Sequence, residues 1–301
     1  LIVAVVGAAT AATAIVLDRA ARDGLRTDLA SAERVFDESW SYRRSVLRSE
    51  ARVIAEEPRL KAVTSAEDVG RDTLVGVALE LHQATASDLF VLTDSSGKLI
   101  LDAADPEQSG HDLKSHDVVR DALARGDASG VWTSGQSAYQ VQARRLEFGE
   151  TPFGVLVIGT TLGSKLVDSL ERQLGAVAVL ELDGSPLAIS AGLGKSLERE
   201  AMRRALASLP SGGVHEISVG GARYLAVAGA LPGYSGQRKL RYALLRSLDV
   251  ALAPSLRLRS LLFWIAAAAL LVSVVATGVL STRLSRPLEA LAGLTRRFAK
   301  G

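Results

Sequence analysis

Twenty consecutive residues near the end of the chain, Leu261 to Leu280 (LLFWIAAAALLVSVVATGVL), carry no charge. At about 1.5 Å of rise per residue, such a run coiled as one helix matches the roughly 30 Å hydrocarbon thickness of a bilayer. A second apolar stretch, Leu1 to Leu17 (LIVAVVGAATAATAIVL), opens the chain. The expectation is two membrane helices, at 1–17 and 259–281, with the residues between them looped out on one side. Ala12-Thr13-Ala14 resembles a signal-peptide cleavage site. Ile15-Val16-Leu17 nevertheless prolongs the apolar run and an amphipathic pattern follows without a break, which favours a retained helix. The chain begins on Leu and ends on Lys300-Gly301 within a helical pattern, so it is expected to be a piece of a longer polypeptide. Arg283, Arg286, Arg296, Arg297 and Lys300 after the second run nearly balance Arg241, Arg246, Arg257 and Arg259 before it. Charge alone leaves the orientation open.

Several function classes are excluded by composition. The absence of cysteine rules out a disulfide scaffold, a thiolate metal site and a cysteine nucleophile. A formal charge of +2, with no basic stripe interleaved with aromatics, gives no support to nucleic-acid binding. With 48% hydrophobic residues the chain is far too apolar for a disordered one.

From Asp18 to Val63 the apolar positions Leu25, Leu29, Ala32, Phe36, Trp40, Val46, Leu47, Val53 and Ile54 recur mostly every three or four residues, predicting a long amphipathic helix that ends or kinks at Pro58. Thr73 to Ala84 reads as a second helix. Asp88 to Asp102 (DLFVLTDSSGKLILD) is a strand, a polar turn at Asp94-Ser95-Ser96-Gly97 and a returning strand. Asp117 to Gly126 is helical, and Gly130–Leu146 with Phe153–Leu162 supplies three more strands. The order then repeats: hairpin at Ala176–Ser190 with an Asp183-Gly184 turn, helix at Leu197–Leu209, strands at Gly213–Leu231 and Leu240–Leu248. Ala138-Tyr139 matches Arg223-Tyr224, and Gly154-Val155-Leu156 matches Tyr242-Ala243-Leu244, as though one fold were used twice.

The hairpin LFVLTDSSGKLILDA, the segment HDVVRDALARG ahead of GVWTSGQSAYQVQARRL, and FGVLVIGTTL resemble a double Cache sensor domain, two tandem PAS-like lobes behind a long helix. After the apolar run, Ser285-Arg286-Pro287-Leu288-Glu289-Ala290-Leu291 through Phe298 resembles the first helix of a HAMP module, with Leu288, Leu291 and Phe298 on a coiled-coil seam and Pro287 at the helix start. The alternative is a basic amphipathic helix on the lipid surface. The resemblance implies an α+β protein with stalk and connecting helices at 18–84, a membrane-distal lobe at 85–170, a membrane-proximal lobe at 171–256 and a truncated HAMP helix at 282–301. It also implies a homodimer in contact with membrane lipid at the cell inner membrane, its sensor extracytoplasmic, its output (a kinase, a cyclase or a chemotaxis-type helix) outside this chain, and Pro287, Leu288, Leu291 and Phe298 as signal relay. Small residues at Gly7 and Ala11, and at Ala269, Ser273 and Thr277, would allow close helix contact in lipid.

Motifs for chemistry are few. No Gly-x-Ser-x-Gly elbow, Walker loop or His-Glu-x-x-His occurs, so no catalytic residue, cofactor or enzymatic activity is expected. His111 and His116 lie about 140° apart on a helix and, with Asp112 and Asp117, are expected in polar loop and helix-start positions rather than at a metal. Asp94, Gly97, Asp183 and Gly184 are expected to serve hairpin turns. Alternation along the strand at Tyr139 puts Tyr139, Val141, Ala143 and Arg145 on one face and Gln140, Gln142 and Arg144 on the other. An inward arginine requires an anion, which makes His116, Arg120, Trp132, Tyr139 and Arg145 a candidate pocket for a small anionic metabolite. The plainer reading is that Trp132 and Tyr139 are core aromatics and the arginines are solvated. Amino-acid-binding double Cache domains carry an Arg-x-Trp-Tyr run, and Gly-Val-Trp-Thr stands here instead. The expected function is the input half of a transmembrane receptor, ahead of a protein-interaction module and of a membrane-tethered enzyme.

Overall fold

A computed structural model describes residues 2–65, 70–149, 151–193, 199–232, 238–253, 264, 265, 267, 268 and 271–276. Its longest element is the 54-residue helix α1 (Ile2–Ala55). Leu29, Ala32, Phe36, Trp40, Leu47, Ala51 and Ile54 form one buried line along it, and burying each large apolar side chain contributes about 1.5 to 3 kcal/mol. The helix stops at Glu56-Glu57, and Pro58 opens α2 (Pro58–Ser65), where its missing N–H costs nothing. Helix α3 (Arg71–Gln83) follows.

The first lobe contains β1 (Leu89–Asp94), β2 (Leu99–Asp102), α4 (Asp117–Arg125), β3 (Asp127–Ser134), β4 (Ser137–Phe148) and β5 (Thr151–Thr161), an antiparallel sheet in the order β2-β1-β5-β4-β3. A helix α5 (Ser164–Leu174) leads to the second lobe: β6 (Val177–Leu182), β7 (Ser185–Ile189), α6 (Arg199–Ala207), β8 (Val214–Val219), β9 (Ala222–Ala230) and β10 (Leu240–Ser247), ordered β7-β6-β10-β9-β8. The two orders are the same plan, as the internal repeat predicts. Helix α5 was not anticipated, although Leu166, Val167, Leu170 and Leu174, all buried, carry a helical spacing.

Each sheet is covered on both faces. In the first lobe, Phe90, Leu92, Leu101, Leu146, Leu156 and Ile158 pack against the end of α1, α2 and α3. On the opposite face Val91, Val141, Ala143, Val155 and Val157 meet Val118, Val119 and Ala122 of α4. In the second lobe Val179, Tyr224, Ala226, Ala228, Ala243 and Leu245 pack on Met202, Ala205 and Leu206 of α6. On the other face of the second sheet Tyr242 meets Phe36 of α1, ring centroids 4.3 Å apart.

The expectation of two membrane helices is corrected by the structure. Among the described residues no helix is long and apolar enough to cross a membrane. The apolar opening of the chain forms the first turns of α1, which passes directly into Asp18, Arg19, Arg22 and Asp23. Half of Leu261–Leu280, and all of 282–301 with Pro287, Leu288, Leu291 and Phe298, lie outside the described residues. Residues 1–25 with 248–301 form one compact unit and 26–247 another. Within the first, Leu25, Leu248 and Leu252 are buried and Arg22 pairs with Asp18 at 3.0 Å. Both lobes belong to the second.

Candidate sensory face of the first lobe

Helix α4 lies on its sheet at very close range. A β-carbon at Gly130 of β3 would come within 2.5 Å of Val118 Cγ1, so glycine is what lets the helix settle. His116, the residue before α4, stacks on Trp132 of β3 with centroids 3.6 Å apart and planes 4° from parallel. Trp132 pairs across the sheet with Tyr139 of β4. Three of the five candidate residues therefore meet at one edge of α4. Burial holds the His116 imidazole below its ordinary pKa, partly offset by the Asp117 carboxylate.

Both arginines of the set are already engaged. Arg145 reaches the α4 side as the strand alternation predicts. Its Nη1 donates to the Leu123 carbonyl at 2.9 Å and its Nε to Glu147. The anion that an inward arginine requires is thus supplied two residues along the same strand, and the guanidinium also satisfies a carbonyl in the last turn of α4. Arg120 sits on the exposed side of α4, 2.6 Å from Asp117 Oδ1 and 3.8 Å from Asp121.

The turn residues sit as expected. Asp94 Oδ1 accepts from Ser96 N at 2.8 Å and Lys98 N at 2.9 Å, which with the Ser96 hydroxyl outweighs burial and lowers its pKa. Asp183 adopts φ +52 in its turn, and its carboxylate accepts from Arg238 Nε at 2.6 Å and Lys239 N at 2.8 Å. Asp112 Oδ1 caps the Lys114 amide at 2.9 Å.

Sequence reasoning missed the residues that join the lobes. Gln140 and Gln142 were assigned to a polar face, yet both are buried, because that face of β4 is covered too. Gln140 Nε2 donates to the Trp40 carbonyl at 3.3 Å, and Trp40 Nε1 donates to the Pro232 carbonyl at 2.9 Å. Trp40, Arg44, Ser129, Gly130, Gln140, Val141 and Pro232 enclose a small cleft there. Arg238 bridges the lobes as well: its Nη1 donates to Gly135 in the β3–β4 turn at 2.8 Å while its Nε holds Asp183. A weak signal existed, since the apolar line of α1 runs longer than one sheet can cover.

No known family profile matches the sequence, and no curated protein matches it. Solved structures do. The sensory domain of the Campylobacter jejuni chemoreceptor Tlp3 with isoleucine bound is similar at TM-score 0.51 and 14% identity, over 79% of this chain and 97% of that one. The sensor domain of the V. cholerae histidine kinase DctB is similar at TM-score 0.52 and 11% identity, over 75% and 98%. At these identities the likeness is one of fold: two tandem antiparallel-sheet lobes behind a long helix, the plan the sequence shares in outline with double Cache domains. In double Cache terms, β1–β5 with α4 is one lobe, β6–β10 with α6 the other, and α1 the long helix shared by both.

Proposed function

We propose that this chain is the sensory input half of a signalling receptor, its double Cache portion lying extracytoplasmic at the cell inner membrane and acting without catalysis of its own. The observation that carries the reading is the fold shared with the Tlp3 and DctB sensor domains. The stimulus acts at the α4 edge of the first lobe, where His116, Trp132 and Tyr139 converge and Arg120 and Arg145 supply positive charge. A small carboxylate competes there for guanidinium groups now held by Asp117 and Glu147. The β3–β4 turn then carries the change through Gly135, Arg238 and Asp183 to the second lobe. The finer steps rest on sequence: a homodimer, contact with membrane lipid, and transmembrane hand-over to a HAMP-type relay at Pro287, Leu288, Leu291 and Phe298. The output is a domain beyond this chain.

Thermal denaturation of the full chain against a panel of small carboxylates and amino acids tests the site. A true ligand at a hundred times its Kd stabilises by about 2.7 kcal/mol. The exposed change Arg120→Gln should abolish that rise without altering the ligand-free transition. A panel that leaves the transition unmoved, or a rise that survives both Arg120→Gln and Trp132→Phe, overturns the ligand site at α4.

A further inference from the structure

The cleft at Trp40 and Pro232 lies where α1 passes β3 and β4, and it is built around Gln140, which is only 2% exposed. The Gln140 amide is held in one sense. Its Nε2 donates to the Trp40 carbonyl at 3.3 Å, and turning the amide over would set oxygen against oxygen. Oε1 is therefore an acceptor by necessity, and among the described residues nothing donates to it. A buried acceptor in that state carries its whole desolvation cost until a donor reaches it. The second feature of the cleft is a cation. Arg44, half-buried on the cleft wall, has no hydrogen bond or ion pair among the described residues. The other polar groups are taken. Arg43 Nη2 donates to Thr160 Oγ1 at 3.3 Å, Arg48 Nε lies 3.4 Å from Asp127, and the Ser129 hydroxyl donates to Gln142 Oε1 at 2.5 Å. Trp40 Nε1 is spent on the Pro232 carbonyl. One deep acceptor and one cation on the wall are what the cleft offers to an occupant.

We infer that this cleft binds a small oxyanion that still carries a proton, with bicarbonate as the prototype. A neutral donor would answer Gln140 and leave Arg44 unpaired, whereas a fully deprotonated anion would answer Arg44 and turn lone pairs on Gln140 Oε1. A protonated oxyanion satisfies both. The interior has room for about one water-sized group. One hydroxyl therefore enters and donates to Oε1, while the charged oxygens stay at the wall and accept from the Arg44 guanidinium. An ammonium group is the wrong occupant, because Arg43, Arg44 and Arg48 crowd the same stretch of α1. The bound ion lies beside the Trp40 to Pro232 hydrogen bond through which α1 reaches the second lobe, so occupancy stiffens that joint. The site goes beyond the proposed function and shares no residue with the carboxylate site at α4.

Sodium bicarbonate and sodium nitrate, titrated into the 301-residue chain at pH 8 and constant ionic strength, make the decisive pair of probes. Both ions are planar and singly charged, and only bicarbonate carries a proton. Bicarbonate is expected to raise the melting temperature saturably, by about 3 °C at ten times the Kd read from the titration, and to broaden the carbon-13 line of the labelled ion. Nitrate should do neither. Gln140→Met keeps the side-chain length without the acceptor and should bring bicarbonate down to the level of nitrate. Arg44→Gln should weaken bicarbonate about tenfold or more. Arg44 is half-exposed, so that variant decides the matter even where Gln140→Met does not fold. No response to bicarbonate, or an equal response to nitrate, overturns the protonated-oxyanion site. A response that survives both Arg44→Gln and Gln140→Met overturns its location. A response abolished by Arg120→Gln assigns the ion to α4 and overturns the cleft while leaving the carboxylate reading there in place.

Discussion

In the first lobe α4 closes over its sheet with His116 lying flat on Trp132 and Arg145 tied to Leu123 and Glu147. In the second lobe α6 closes over a sheet of the same strand order with Met202, Ala205 and Leu206. A related arginine clamp recurs, since Arg241 Nη2 donates to the Leu209 carbonyl just beyond α6 at 2.8 Å. Among the described residues the stack does not recur. The difference shows what the repeated fold requires and what it leaves free. Both copies need an apolar helix face and a cation satisfying carbonyls near the helix end. Among the described residues only the first lobe puts a titratable ring and an aromatic pair at the helix edge, which is why the stimulus is assigned there. In the second lobe the polar investment lies on the α1 side, where Tyr242 Oη donates to Glu33 at 2.9 Å and Arg246 Nη1 to Asp28 at 2.6 Å.

The comparison can be broken most directly at its aromatic member. Trp132→Ala removes a nearly buried ring and the surface on which His116 rests, and should cost about 3 to 5 kcal/mol in urea unfolding. Amide exchange should accelerate in β3 and β4 before it does in β8 and β9. Equal acceleration in both sheets would mean that α1 and the Trp40 contacts fuse the lobes into one cooperative unit.

Tyr242→Phe probes the opposite investment. Losing a hydrogen bond to a carboxylate in a half-buried setting should cost about 1 to 2 kcal/mol, read from the same unfolding curves. Burial first, and then Glu33, push the Tyr242 hydroxyl pKa well upward. The phenol is therefore neutral and donating across the whole physiological range, and this contact should show no pH dependence there.

The pH response belongs to the first lobe. His116 is held below its ordinary value when folded, so the unfolded chain takes up its proton at the higher pH. Its contribution is complete above about pH 6.5, the ordinary histidine value, and is lost as the pH falls through the folded value. The melting temperature of the natural chain should therefore drop from pH 7.5 to 5.5 more steeply than that of His116→Gln, and parallel slopes would remove the titratable distinction between the lobes. The smallest effect is expected at Arg203→Ala: its pairing with Glu200 on α6 is open to solvent, and no measurable change in the unfolding midpoint should follow.

Much of this architecture can be read directly from residues. The hairpin at Asp94-Ser95-Ser96-Gly97, the end of the long helix before Pro58 and the twofold use of one strand order follow from local turn chemistry and short-range periodicity. The inward face of β4 was legible as well, because alternation fixes which side chains share a side. The expected membrane helices were not upheld, since among the described residues no helix is long and apolar enough to cross a membrane. Helix α5 was overlooked beside the stronger strand patterns around it.

What the sequence determined by itself is the order of the elements and the pairing of hairpin partners, since each depends on neighbours within a few positions. Only the tertiary structure decided that Gln140 and Gln142 are buried and that Trp40 joins both lobes. Those facts depend on which surfaces meet across a hundred residues or more, and no spacing along the chain encodes how a second covering layer turns a polar face into an interior one.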